Sequence, residues 1–131
     1  DKKLSDHFSL NEFKCSCTYE DCTFTKVDTD LIAMLESIRT FTREFFQSEF
    51  PINISSGYRC EKHNADTPGA AKDSQHLHGK AADIIIPNKL HHMISMLVGD
   101  RGGVGFYEDR LHIDVRGSRA RWGKEQSHLE A

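Results

Sequence analysis

No hydrophobic run in this sequence approaches the roughly 20 residues that a helix needs to cross a bilayer. Dense clusters of basic residues are absent as well, and 17 Lys and Arg residues against 20 Asp and Glu residues give a formal net charge of −3. Because phosphate backbones are bound by clustered Lys and Arg, this charge pattern disfavours nucleic acid as the main partner. The N-terminal segment DKKLSDHF also lacks the apolar region of a signal peptide. We therefore expect no membrane insertion, no nucleic-acid partner and no signal peptide.

Several common catalytic motifs are missing too. The G-x-S-x-G turn that exposes a nucleophilic serine does not occur, and neither does the H-E-x-x-H helix of many zinc proteases. The segment GGVG lacks the G-x-G-x-x-G spacing of a dinucleotide-binding loop. These absences argue against a serine hydrolase of that type, a helix-borne zinc site and a dinucleotide-dependent enzyme.

The length of 131 residues suits one domain with one hydrophobic core. We expect that domain to cover residues 1–131, with the core over about 8–122 and a polar tail over 123–131. Helical periodicity predicts a long amphipathic helix over residues 27–46, which carries an apolar stripe of Leu31, Met34, Leu35, Ile38, Phe41 and Phe45.

Further periodic segments complete the expected fold. Residues 8–13 predict a short capped helix, and residues 88–98 predict a second amphipathic helix. Strands are expected in residues 52–59 and 81–87, and residues 102–117 predict two strands joined by a turn. The polar segment 60–80 between them is expected to be a long loop with one helical turn at most. The predicted fold class is α+β, with helices packed on one face of a small, mainly antiparallel sheet.

The segment SQHLHGKAADIII, residues 74–86, contains two histidines and an aspartate just where the chain turns from polar to apolar. Side chains alternate across a strand, so Asp83 faces away from the neighbouring Ile84. A carboxylate at the start of so apolar a strand is costly when it is buried without a partner, and a cation is the simplest partner.

In LHIDV, residues 111–115, His112 and Asp114 share one face of the predicted strand. If this strand neighbours the previous one, His112 lies across from Asp83, and His76 returns from the loop through a sharp turn at Gly79. Two imidazoles and one carboxylate form a donor set that suits zinc, with one position left for water.

The other histidines give weaker signals. A single histidine is more often a surface residue or a hydrogen-bonded core residue than a metal ligand. His78 competes with His76 as a ligand, whereas His91 and His92 are expected to face solvent on the second helix. The remaining three histidines have no grouping that indicates a site: His7, His63 and His128.

Four cysteines form a second candidate cluster: Cys15, Cys17, Cys22 and Cys60. Cys15 and Cys17 are too close in sequence to bridge each other easily. The spacing matches no common zinc-finger pattern, so a structural metal, disulfides and free packed thiols all remain open. A gathered cluster would tie the N-terminal loop to the strand that carries Arg59.

SQHLHGKAAD fits the pattern S-x-H-x-x-G-x-A-x-D, which resembles the first metal motif of the zinc D-alanyl-D-alanine peptidases. ISSGYRCEKHN resembles the segment that precedes this motif in the family, and GGVGFYEDRLHIDVRGSRARW resembles the segment with the last metal ligand. FSLNEFKC resembles the start of a bacterial and phage branch. The resemblance covers residues 8–122 and implies a fold shared with the hedgehog signalling domain.

The resemblance also implies roles for individual residues. His76, Asp83 and His112 match the zinc ligands of the family. Arg59 matches an arginine that polarises the scissile carbonyl, although a salt bridge to Asp66 or Asp73 is the alternative. The residues expected to contact substrate are Ser74, Tyr58 and Gln75.

The general base is where this sequence departs from many of its relatives. Many members carry Glu three residues before the last ligand, whereas this chain has Asp109 there. Glu108 is the rival base, because a tight turn could present it instead. Asp114 is a third carboxylate, but its place beside His112 suits the orientation of that imidazole.

The resemblance implies a zinc peptidase that cleaves the peptide part of bacterial peptidoglycan. The candidate bonds are L-alanyl-D-glutamate, as in phage endopeptidases, and D-alanyl-D-alanine. The alternatives are a metal-stabilised binding module without hydrolytic activity and a structural component of a phage particle. We expect a monomer of phage or bacterial origin. A phage-encoded protein would reach the wall from the host cytoplasm or with the virion. A second, structural zinc on the cysteines is an open expectation.

Overall fold

A computed structural model describes residues 1–124. The helices are α1 (Thr29–Phe46), α2 (Glu61–Asp66) and α3 (His91–Val98), and the strands are β1 (Asn53–Ser56), β2 (Ala81–Ile85), β3 (Gly103–Phe106), β4 (Leu111–Asp114) and β5 (Ala120–Gly123). Short 3-10 helices lie at Leu10–Phe13, Gln75–His78, Asn88–Leu90 and Gly99–Arg101. His128 and residues 125–131 of the expected polar tail lie outside the described residues.

The five strands form one sheet in the order β1-β2-β4-β3-β5. The pairs β1–β2, β2–β4 and β3–β4 are antiparallel, whereas β3 and β5 are parallel. The predicted α+β class with a mainly antiparallel sheet is therefore confirmed. β5 was not expected from the sequence, because its residues Ala-Arg-Trp-Gly carry no strand-like alternation of apolar side chains.

Besides its pairing with β3, β5 is held by the side chain of Arg121. The guanidinium group of Arg121 donates hydrogen bonds to the Ser95 hydroxyl and to the carbonyls of Gly99 and Gly102. These acceptors lie beyond β5 itself, so tertiary contacts rather than local propensity place this strand.

The core lies between α1, α3 and one face of the sheet. α1 begins after Asp28, whose carboxylate accepts a hydrogen bond from the Asp30 amide and so caps the helix. The buried side chains of α1 and α3 form one cluster with apolar side chains of the central strands: Leu31, Met34, Leu35, Ile38, Ile94, Val98, Ala82, Ile84, Val104, Leu111 and Ile113. Alternation along β2 and β4 then directs Asp83 and His112 to the opposite face.

The end of α1 departs from the predicted apolar stripe. Phe41 and Phe45 are 41% and 64% exposed, so the core-facing stripe stops at Ile38 and the hydroxyl-bearing Thr42. The two phenylalanines stack on each other, and Phe46 packs edge-on against Phe45. Periodicity identified the helix but not the point at which it leaves the core.

Two local expectations were also incorrect. The segment 60–80 contains α2 and the 3-10 helix at Gln75–His78 instead of a loop with one turn. His91 does not face solvent but is completely buried, with its ring Nε2 3.3 Å from the Ile86 carbonyl oxygen. Within residues 1–124, no helix is long and apolar enough to cross a membrane.

Candidate metal centre

The central strands bring the first two candidate ligands together. Asp83 on β2 and His112 on β4 are direct partners in the antiparallel register. Opposite residues in such a pair have their Cβ atoms only about 5 Å apart, so both side chains project from the same point of the sheet. This register is the one predicted from the sequence.

The third candidate, His76, comes from the 3-10 helix that precedes β2. Ser74 caps this helix by accepting a hydrogen bond from the His76 amide at 3.2 Å. Gly79 ends the helix at φ 69°, and a Cβ at this position would lie 2.4 Å from the Lys26 carbonyl oxygen. Only glycine fits both the backbone angle and this close approach, so Gly79 allows the turn that places His76 above β2.

The three side chains converge on one buried point. The Nε2 atom of His76 lies 3.4 Å from Oδ1 of Asp83, and the Nδ1 atom of His112 lies 3.1 Å from the same oxygen. One metal-ligating atom from each of the three residues lies within 4.8 Å of the other two. All three residues are buried, which keeps this donor set largely shielded from solvent.

Hydrogen bonds on the far side of each imidazole determine which nitrogen faces the centre. The Nδ1 atom of His76 lies 2.7 Å from the Gly57 carbonyl oxygen, so Nδ1 carries the proton and Nε2 presents a lone pair to the centre. The Nε2 atom of His112 lies 2.8 Å from Oδ2 of Asp114, which leaves Nδ1 for the centre. Both rings are thus oriented as ligand histidines are in metalloproteins.

The electrostatics of the site favour a positive charge at this point. Burial acts to raise the pKa of Asp83, but hydrogen bonds and charge interactions with His112 and His76 outweigh it and hold the pKa below its usual range. Burial likewise acts to lower the pKa of His112, but Asp114 and Asp83 outweigh this effect and raise it. Two imidazoles and one carboxylate, with one ligand atom of each gathered at this point, fit a zinc ion.

Asp114 is the most strongly held carboxylate at the site. It is completely buried, and it accepts hydrogen bonds from the Gly103 amide at 2.8 Å and from two guanidinium nitrogens of Arg116 at 2.9 and 2.7 Å. Burial acts to raise its pKa, but the bonds from His112, Arg116 and Gly103 prevail and keep it low. Asp114 therefore stays ionised and orients His112.

Two arginines lie beside the centre. Arg59 is only 8% exposed and donates a hydrogen bond to Oδ1 of Asn64 at 2.9 Å. Burial lowers its pKa, and the nearby Asp83 charge opposes this effect. Arg110 was not identified from the sequence, although it lies between Asp109 and His112, and its Nε is 3.5 Å from Oδ2 of Asp83.

The alternative partners of Arg59 are engaged elsewhere. Asp66 accepts a hydrogen bond from the Tyr19 hydroxyl, and Asp73 pairs with His78 at 2.8 Å. His78 thus contacts an exposed carboxylate and is not part of the three-residue centre.

The structure places both candidate bases on the turn between β3 and β4. The Asp109 side chain is 79% exposed, and its Oδ1 accepts a hydrogen bond from Arg110 at 2.8 Å. Because Arg110 also contacts Asp83, Asp109 is linked to the rim of the centre through one guanidinium group. Glu108 is exposed on the same turn.

The residues expected to contact substrate differ in their structural environment. Tyr58 is 9% exposed, and its ring packs against Phe24. The hydroxyl of Ser74 serves the helix cap described above, and the Gln75 carbonyl accepts a hydrogen bond from the Lys80 amide. Trp122 was not identified from the sequence, but its ring lies 4.9 Å from the His112 ring.

Two histidines and one aspartate give three protein ligands, which is the number found in catalytic zinc sites, whereas structural zinc sites have four. The family model described as Peptidase M15 matches residues 6–115, which include all three candidate ligands. The chain therefore belongs to the Peptidase M15 family and is a zinc metallopeptidase, as the sequence resemblance implied. Among proteins of curated function, none matches the chain significantly.

Proposed function

We propose that this protein hydrolyses a peptide bond in the stem peptide of bacterial peptidoglycan, with the L-alanyl-D-glutamate bond favoured over D-alanyl-D-alanine. The observation that carries the proposal is the convergence of His76, Asp83 and His112, which are all buried and whose ligand atoms lie within 4.8 Å of one another. The family match supports peptidase chemistry. The resemblance of residues 8–15 to a bacterial and phage branch supports the wall peptide as substrate and a phage origin.

Each residue of the centre has a distinct task in this proposal. His76, Asp83 and His112 would hold zinc, which when bound lowers the pKa of a water molecule and polarises the scissile carbonyl. The Gly57 carbonyl and Asp114 hold the two imidazoles in their orientation, so little reorganisation is needed.

Asp109 acts as the general base in the proposed reaction. It takes the proton of the attacking water and delivers it to the leaving amine. Its exposed carboxylate lies 2.8 Å from Nη1 of Arg110, which in turn contacts Asp83 of the centre. Aspartate is one methylene shorter than the glutamate of many relatives, so this role requires the backbone of the turn to lie closer to the attacking water.

Arg59 stabilises the charge that develops on the carbonyl oxygen. Its guanidinium group is buried and fixed by Asn64, so its donors are in place before the reaction. A positive charge in a site screened from water interacts with a developing oxyanion more strongly than with a neutral carbonyl, which accelerates the chemical step.

The test is release of amino groups from purified peptidoglycan, with bound zinc quantified in each variant. We expect Asp109→Ala to keep its zinc and to lose at least 100-fold in rate, a typical contribution of a positioned base. Glu108→Ala is the matched control on the same turn and should retain most activity. Labelling of the new N-termini identifies the bond, because the endopeptidase exposes D-glutamate and the carboxypeptidase releases free D-alanine.

The exposure of Asp109 also supports a second candidate function, a zinc-stabilised binding module without hydrolytic activity. In that case wild type and Asp109→Ala hold equal zinc and neither releases an amine, even after zinc is removed and restored. Cosedimentation with peptidoglycan would then detect the binding activity. Equal cleavage by Asp109→Ala and wild type, in contrast, would reject Asp109 as the base and leave the hydrolase intact.

A further inference from the structure

The fold brings all four cysteines of the chain to one place, away from the three-residue centre. Cys15, Cys17 and Cys22 lie in the segment that precedes α1, whereas Cys60 directly precedes α2. Their four sulfur atoms all lie within 4.8 Å of one another. All four residues are partly buried. The cluster therefore lies at the border between the surface and the core.

The distances between sulfur atoms discriminate between a metal site and disulfides. The Sγ atom of Cys60 lies 3.8 Å from that of Cys15 and 3.8 Å from that of Cys17. A disulfide requires about 2.05 Å between two sulfurs, and it excludes a third. Four sulfurs at about 2.3 Å from a tetrahedral zinc ion lie about 3.8 Å apart from one another. The two Sγ–Sγ distances of 3.8 Å at Cys60 therefore match a tetrahedral zinc site and not a disulfide.

Nitrogen atoms that can donate hydrogen bonds to a thiolate lie close to the cysteine sulfurs. The Cys60 amide donates to Sγ of Cys15 at 3.4 Å, and Nδ1 of His63 lies 3.2 Å from the same sulfur. Metal-bound thiolates commonly accept such N–H donors, which disperse their negative charge. His63 is one turn along α2 from Cys60, so a single short helix presents both groups.

The segment that carries three of the cysteines has little other structure to hold it. Between residues 14 and 28 it contains no helix or strand. The hydrogen bonds that its amides donate to backbone carbonyls are the turn bond from the Cys22 amide to the Tyr19 carbonyl and bonds at its two ends, from the Lys14 amide to the Asn11 carbonyl and from the Asp28 amide to the Gly79 carbonyl. Its side-chain ties to α2 are exposed, such as the pair of Asp21 with Lys62. Exposed ion pairs contribute little to stability, so these ties hold the middle of the segment only weakly.

We propose that Cys15, Cys17, Cys22 and Cys60 bind a structural zinc ion. Four protein ligands leave no position for water, which makes the site structural rather than catalytic. The ion fastens the N-terminal segment to the start of α2. Because Cys60 follows Arg59 in the chain, it also fixes the backbone beside the buried guanidinium group. This proposal does not depend on the substrate proposed above.

The test is the zinc content of protein purified under reducing conditions, measured per chain by mass spectrometry of the metal. We expect two zinc ions in wild type, one in His76→Ala and one in Cys17→Ser. Ser16→Ala, a change at the exposed residue between two of the ligands, is the matched control and should keep two. His63→Ala should also keep two, which distinguishes four cysteines from three cysteines and a histidine.

A spectroscopic measurement identifies the ligands directly. Cobalt substituted into His76→Ala should show intense near-ultraviolet thiolate-to-metal absorption and the visible bands of a tetrahedral site. If Cys17→Ser does not fold, His76→Ala alone decides the matter, because its remaining metal must then be held elsewhere. Absence of zinc and of these bands in folded His76→Ala would overturn the proposal, as would an intact mass 2 or 4 Da below that of the reduced chain, which indicates disulfides.

Discussion

Replacing Asp114 with asparagine should weaken zinc binding at the three-residue centre without removing a ligand. Asp114 uses Oδ1 to accept from the Gly103 amide and from Arg116, and it uses Oδ2 to accept from His112 and from a second Arg116 nitrogen. An amide can keep only one of these two acceptor positions. Oδ1 also accepts from the Arg116 backbone amide at 3.2 Å and so accepts three hydrogen bonds against two at Oδ2. We therefore expect the amide nitrogen to take the place of Oδ2, where it faces His112.

The consequence for His112 is a change of tautomer. An amide N–H beside Nε2 converts that nitrogen from donor to acceptor, so the ring proton moves to Nδ1, the atom that faces Asp83. Zinc must then compete with this proton. Loss of such an orienting partner typically costs 10- to 100-fold in metal affinity, which corresponds to about 1.4–2.7 kcal/mol.

The measurement is competition for zinc between the protein and a fluorescent chelator, with His76→Ala as the baseline for zinc held elsewhere in the chain. Asp100→Asn is the matched control, because Asp100 is 92% exposed and its nearest cation, on Arg119, is 3.7 Å away. We expect this control to bind zinc within twofold of wild type. Wild-type affinity in Asp114→Asn, or an equal loss in Asp100→Asn, would refute the tautomer argument.

Three further predictions follow from the same contacts. Arg59→Met should lower kcat by about 100- to 1000-fold with zinc content unchanged, because a preorganised donor to the oxyanion is lost; steady-state kinetics check this, with Arg119→Met as the exposed control. Gly79→Ala should lower the free energy of unfolding in urea by about 2–4 kcal/mol, because the added Cβ overlaps the Lys26 carbonyl oxygen and the positive φ is strained. Gly69 also has a positive φ but lies in open space, so Gly69→Ala should lower it by about 1 kcal/mol. A chelator that removes all zinc should lower Tm by about 10 °C or more, because a ligand at 1000 times its Kd stabilises the fold by about 4 kcal/mol; an unchanged Tm in a calorimetric scan would mean that metal binding contributes little to stability.

The sequence predicted the position of the candidate ligands because two strong local rules apply to them. Strand alternation assigns Asp83 and His112 to the face opposite the core, and an antiparallel register then makes them direct partners. Gly79 is the residue that a tight turn demands at the end of the His76 helix. Each rule concerns neighbours in the chain or across one strand pair, which is why sequence alone sufficed.

β5 and Trp122 were missed because tertiary contacts create them. Trp122 fits over β3 only because Gly105 has no side chain, since a Cβ there would lie 2.3 Å from the indole nitrogen. Its Nε1 then donates to the Tyr107 hydroxyl at 2.9 Å, and the ring covers His112. No periodic pattern of apolar residues in this segment predicts that arrangement. The burial of His91 is a similar case, because a pair of adjacent histidines indicates a polar surface unless the fold is known.

Arg59 connects the two clusters on this surface of the protein. Its amide donates to the His76 carbonyl at 3.1 Å, which ties its backbone to the helix that carries one candidate ligand. The next residue, Cys60, belongs to the cysteine cluster, and Asn64 of α2 holds the guanidinium group. The position of this cation therefore depends on the segment before α1 as well as on the sheet. A chain of this size can bury only a modest core, so a cysteine-bound metal beside Arg59 would stabilise the part of the site that the sheet does not hold directly.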